Sequence, residues 1–175
     1  TAAALITIGT WSFAVYSGWL DAPAFGVIGV AVVGFAAAIA VTMVFAGMNN
    51  KRALYSALTT ATVGVAMWWA MQWFWFYYAM DIGWILGLLV TAIAVAMLIG
   101  WLWGGPDRGV SMRGAVITAI VIATMTFIDR VMQVYPIYFQ AVRGRPIATI
   151  GAQTPNLGGD FWVQQLDRFT HLLLP

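Results

Sequence analysis

Glutamate is absent from this chain, lysine occurs once, histidine occurs once and cysteine does not occur at all. Each gap closes off a class of chemistry. Without cysteine there is no disulfide framework, thiolate metal site or iron–sulfur cluster. One histidine cannot ligate a haem from both sides within the chain. The single lysine, Lys51, lies in a polar loop with Asn49, Asn50 and Arg52, which argues against a Schiff base buried mid-membrane. Without glutamate, the carboxylate-rich di-metal sites of helical bundles are out of reach. The chain therefore reads as no enzyme by itself, with no catalytic residue, cofactor or metal site expected.

Charge of either sign is also scarce. Only 8% of the 175 residues are charged, whereas 62% are hydrophobic. A water-soluble domain carries charge on about a quarter of its residues. This chain cannot clothe a water-facing surface, so the lipid bilayer is its expected solvent. A soluble enzyme, a nucleic-acid module and a disordered tail are excluded on the same ground. The net charge of +2 does not signal nucleic acid, because the basic residues are too few and too scattered to neutralise a phosphate backbone.

What is present is a series of long apolar runs. A membrane-spanning helix needs about 20 mostly apolar residues. Five stretches qualify, at about 2–20, 24–48, 53–80, 82–103 and 114–128, the last with a possible continuation to Tyr138. The runs are too long and too uniformly apolar for barrel strands, which alternate with period two over about ten residues. The first reads as a span rather than a signal peptide, since no basic flank precedes it. The expected fold is all-α: a polytopic helical membrane protein with about five transmembrane helices. Residues 1–138 form the bundle, and 139–175 form an extracytoplasmic tail with a short amphipathic helix.

Basic residues in short loops set orientation. Lys51 and Arg52 lie between the second and third spans, and Arg108 and Arg113 lie between the fourth and fifth. Both loops then face the cytoplasm. The loops at Asp21 and Asp81 carry no Lys or Arg and belong outside, as do the N-terminus and the tail. The expected location is the plasma membrane, in multi-pass form. Trp19, Trp73, Trp75, Tyr77, Tyr78 and Trp84 fall near outer ends, and Trp101 and Trp103 near an inner end. Amphipathic rings settle at headgroup depth, so this is an aromatic belt.

Several features carry two readings each. Gly83 and Gly87, and Gly100 and Gly104, share helix faces four residues apart. Such pairs admit a close neighbouring backbone, either within the bundle or on a partner subunit. The aromatic run 67–78 reads as interfacial anchoring or as the wall of a pigment or quinone pocket. Gln72 within it is expected to bond a neighbouring helix. Asp129 and Arg130 are either intramembrane groups on a continued fifth helix or wet residues just beyond its end at Ile128. Ionisable groups inside a membrane are costly and tend to be functional. About 100° separates adjacent residues on a helix, so the two would not pair face to face, whereas Gln133 shares the face of Asp129. Asp129, Arg130 and Gln133 are the candidate polar path or interface.

The tail changes character. Turn chemistry falls at Thr154-Pro155-Asn156 and Gly158-Gly159. Residues 161–169 then read as an amphipathic helix with Asp160 as its N-cap, lying on the membrane surface. Phe161, Gln165 and Phe169 fall on one side of it, with Trp162 and Leu166 beside them. His171 has no suitably spaced companions for a metal site and reads as a polar residue at a boundary.

The segment from Ile150 to Trp162, followed by Leu166-Asp167-Arg168-Phe169-Thr170-His171-Leu172-Leu173-Leu174-Pro175, resembles permease subunits of dipeptide/oligopeptide ABC transporters. The resemblance covers about the last 30 residues. It implies that His171, Leu172, Leu174 and Pro175 close an external loop and open an inward-running helix. Pro175 suits a first helical turn, where its missing N–H is harmless. The resemblance also implies ATPase subunits and a peptide-binding protein as partners, and a cytoplasmic coupling loop beyond Pro175. The rival reading is an accessory membrane subunit of a respiratory or photosynthetic complex, packed against larger subunits, quinone or pigment. Either way, other membrane subunits are the expected partners.

Overall fold

The computed structural model describes residues 24–47, 49–142 and 154–172. Five α-helices account for most of them: α1 Gly26–Phe45, α2 Lys51–Tyr77, α3 Ile82–Gly104, α4 Arg108–Ala141 and α5 Phe161–Leu172. A single 3-10 turn, Gly105–Asp107, joins α3 to α4, and no strand occurs among the described residues. The first apolar run, at 2–20, lies outside them. Two helical segments, Gly26–Phe45 and the stretch Ile82–Ala141, are long and apolar enough to cross a membrane.

Local chemistry sets the helix starts. Asn50 accepts from the Ala53 amide at 3.1 Å, and Asp81 from the Trp84 amide at 2.8 Å. Each cap satisfies an amide that the first turn leaves without an intrahelical partner. Lys51 and Arg52 are thus the first turn of α2 and not a free loop. α4 does not stop at Ile128. It runs through Asp129 and Arg130, and past Pro136, to Ala141. The reading in which both charged residues follow the helix end is corrected: they lie within it.

Among the described residues two compact units separate, Phe25–Ile128 and those from Asp129 onward. The first unit is held by small residues at four-residue spacing. α1 buries Val30, Gly34, Ala38 and Thr42. α2 buries Ala53, Ala57 and Ala61. α3 buries Ala96, Gly100 and Gly104. At this spacing the small residues share one face and let backbones approach closely. Ile122 of α4 fills the gap between α1 and α2: a Cβ added at Gly34 would meet its Cγ1 at 2.9 Å, and one at Gly64 its Cδ1 at 3.0 Å. Buried threonines create no unpaired hydroxyl. Thr42, Thr60, Thr118 and Thr126 each donate to the carbonyl one turn back, at 2.7–2.9 Å.

The two glycine pairs separate. Gly100 lies against α4, where an added Cβ would sit 2.5 Å from Met112 Cα, and Gly104 abuts Ser111. This face is used within the chain. At Gly87 an added Cβ meets nothing within 4 Å. The aromatic run also divides. Trp68 and Trp75 are buried, whereas Trp69, Trp73 and Phe76 are more than half exposed. Phe74 stacks on Tyr78 and meets Trp84 of α3 edge-on. Gln72 does not make the interhelical bond expected of it; its Nε2 is buried with no partner among the described residues.

The Arg52 guanidinium occupies the space beside Gly105 that a side chain there would need. The turns that begin α2 and α4 therefore share one end of this unit.

Gly100→Leu is expected to force α3 from α4 and to lower stability by about 1–3 kcal/mol, as overpacking does. Gly87→Ala should be neutral or stabilising by up to about 1 kcal/mol through helix propensity. Thermal unfolding in detergent, followed by tryptophan fluorescence, distinguishes the two.

Candidate functional site

The second unit includes, among the described residues, the end of α4 from Asp129, the turn at 154–157, and α5. Asp129 is fully buried. Gln133, one turn on, donates from Nε2 to Asp129 Oδ2 at 2.9 Å. Its carbonyl oxygen accepts from Arg130 Nη1 at 3.4 Å. The amide thus links acid and base, with its N–H towards the carboxylate and its oxygen towards the guanidinium. The 100° offset between neighbours is the reason a third residue is needed. The Arg130 guanidinium also lies 5.8 Å from the Trp162 ring centroid. Trp162 is buried in the first turn of α5.

α5 begins as its sequence predicts. Asp160 Oδ1 accepts from the Val163 amide at 3.0 Å. Gly159 precedes it with φ 151°, and an added Cβ would collide with the Val163 side chain at 2.9 Å. Pro155 and Asn156 form the turn, closed by the Leu157 amide on the Thr154 carbonyl at 3.4 Å. Asn156 has φ 58°, as a type II turn requires at its third residue. The face of α5 that is buried comprises Trp162, Val163, Leu166, Asp167 and Thr170. Phe169 and Leu172 are exposed, so the side that carries Phe169 faces outward.

Asp167 is the centre of this unit. The residue is 2% exposed. Oδ2 accepts from the Thr154 amide at 2.8 Å, and Oδ1 accepts from Thr154 Oγ1 at 2.6 Å and from the Tyr138 hydroxyl at 3.3 Å. His171 Nε2 lies 3.6 Å from the same Oδ1. Tyr138 in turn is 2.8 Å from Thr170 Oγ1. One carboxylate therefore ties the turn, α5 and the end of α4 together.

Proton directions follow. The Thr154 hydroxyl gives its one proton to Asp167, so at its 3.3 Å contact with His171 Nε2 it must accept. The imidazole then carries a proton on Nε2. A nucleophile–base relay needs the acid and the hydroxyl on opposite ring nitrogens. Here the same nitrogen faces both, so the arrangement positions the loop and does not activate Thr154. Asp167 and His171 are two potential metal ligands, and no third His, Cys, Asp or Glu joins them among the described residues.

The sequence-derived candidates fall into two groups. Asp129, Arg130 and Gln133 are brought together. His171 joins a different cluster, whose other members, Tyr138, Thr154, Asp167 and Thr170, the sequence reading missed. The available signal was Asp167 four residues before His171, on a stripe with Val163 and Thr170. Leu172 is exposed. Leu174, Pro175 and residues 143–153 lie outside the described residues. No protein-family model, curated protein or solved structure matches the chain.

Asp167→Ala orphans the Thr154 amide and hydroxyl, at roughly 1–3 kcal/mol for each buried group left unpaired. Hydrogen exchange should accelerate across 154–172 while α1 to α3 stay protected. Unchanged protection at the C-terminal segment would contradict the central place given to this carboxylate.

Proposed function

We propose that the chain is a membrane segment of a transporter, resembling part of a peptide-type ABC permease. The observation that carries this reading is the Asp167 cluster. It lies in the segment that resembles those permeases and fixes the turn against α5 through Thr154 and His171. A loop held in one conformation suits an external element that meets a binding protein and leads into the next helix. In this reading His171 orients the loop and performs no chemistry.

The membrane setting is part of the same proposal. Five spans, counting the run at 2–20, put the N-terminus and tail outside. The basic turns at Lys51–Arg52 and Arg108–Arg113 then face the cytoplasm. Their shared end, marked by Arg52 beside Gly105, supports that assignment. Asp129 and Arg130 are the candidate polar groups near the path, because a peptide carries both charges. Gln133 keeps the two linked without direct neutralisation, which leaves the guanidinium able to meet a carboxylate.

Copurification tests this. The tagged protein, extracted in mild detergent, is expected to bring down ATPase subunits and a peptide-binding protein. Recovery with cytochromes, quinone or pigments instead would replace the permease reading with the respiratory or photosynthetic one.

A further inference from the structure

The end of the first unit that carries Lys51, Arg52 and Arg108 concentrates positive charge. All three side chains are exposed, and none has an ion-pair partner among the described residues. The one acid in the adjoining turn, Asp107, is exposed and forms no ion pair with them. No acid lies in the first turn of α2 or of α4, which adds to the local positive field.

These cations are held in place by more than charge. The Arg52 guanidinium rests against Gly105, whose φ of 52° and lack of a side chain both make room for it. The Arg108 guanidinium lies 4.8 Å from the Trp101 ring centroid. Trp103 packs against Tyr55 with ring centroids 5.7 Å apart. Trp101, Trp103 and Tyr55 are each nearly half exposed, and Leu98, about one turn before Trp101 on α3, is exposed by 57%. Going along α3, the order is apolar surface, then amphipathic rings, then guanidinium groups. That order matches acyl chain, interface and phosphate. A free phosphate has no use for the apolar and aromatic levels.

We propose that Arg52, Arg108 and Lys51, with Trp101 beneath Arg108, bind the phosphate headgroup of an anionic phospholipid. The stacked Arg108 keeps its edge donors free for phosphate oxygens, and Arg52 approaches across Gly105. This site stands whichever partner subunits the chain has.

Native mass spectrometry of the full chain in detergent, with phosphatidylglycerol or phosphatidylcholine added, tests it. Phosphatidylglycerol should be retained in preference to phosphatidylcholine. Each of R52Q and R108Q should weaken that retention about fivefold. R168Q, an exposed charge in the other unit, should change nothing. Trp101→Leu should weaken retention without altering charge. Equal retention of the two lipids, or full retention by the R52Q/R108Q double variant, would overturn the proposal. So would displacement of the lipid by inorganic phosphate at equal concentration, which would make this a free-anion site. A salt titration of the unaltered protein reads the same interaction without any substitution. Retention must fall as salt rises, and salt-independent retention counts against the site.

Discussion

Close approach of helix backbones along four-residue stripes is the constraint on which the first unit depends. Only 8% of the residues are charged, and in the proposed bilayer setting no hydrophobic force presses helices together. Dispersion contacts must do so, and they decay within fractions of an ångström. Val30-Gly34-Ala38, Ala53-Ala57-Ala61 and Ala96-Gly100-Gly104 provide the necessary flat faces. Where glycine leaves a hollow a larger side chain enters, as Ile122 does between Gly34 and Gly64. Threonine hydroxyls on these faces return their protons to their own helix, whereas the buried Ser56 Oγ donates across to the Ser111 carbonyl of α4 at 3.2 Å.

The second unit is organised by the opposite device. One buried carboxylate, Asp167, gathers an amide and two hydroxyls, with an imidazole at ion-pair distance. A buried charge is tolerable only when its lone pairs are occupied, and this one is well supplied. The same reasoning covers Asp129, whose burial on α4 is matched by the Gln133 amide. The functional proposal joins these features: a rigid external loop on one side, and a linked acid and base on the helix that leads to it.

Much of this organisation was legible in the sequence. The spans 24–48, 53–80 and 82–103 correspond to α1, α2 and α3 within a few residues, because apolar length is written directly in composition. The Asp160 cap and the Pro155-Asn156 turn were legible because each rests on local backbone chemistry. The sequence leaves the continuation of α4 past Ile128 open, since Asp129 and Arg130 are adjacent charged residues. The helix runs on to Ala141, and the Gln133 amide, which the sequence places on the face of Asp129, bonds its carboxylate there. The Asp167 cluster was missed for a different reason. Its partners, Tyr138 and Thr154, are 29 and 13 residues away in the chain, and no periodicity links them. The side of α5 that turns inward was likewise set by Asp167 and Thr170 together with Trp162 and Leu166, not by the phenylalanines.

The most direct measurement of the functional account is uptake of labelled di- and oligopeptides by cells from which the gene has been deleted. The account predicts that ATP-dependent peptide uptake is lost, that the native gene restores it, and that respiration is unaffected. Unchanged peptide uptake together with a loss of respiratory or photosynthetic electron flow would contradict it.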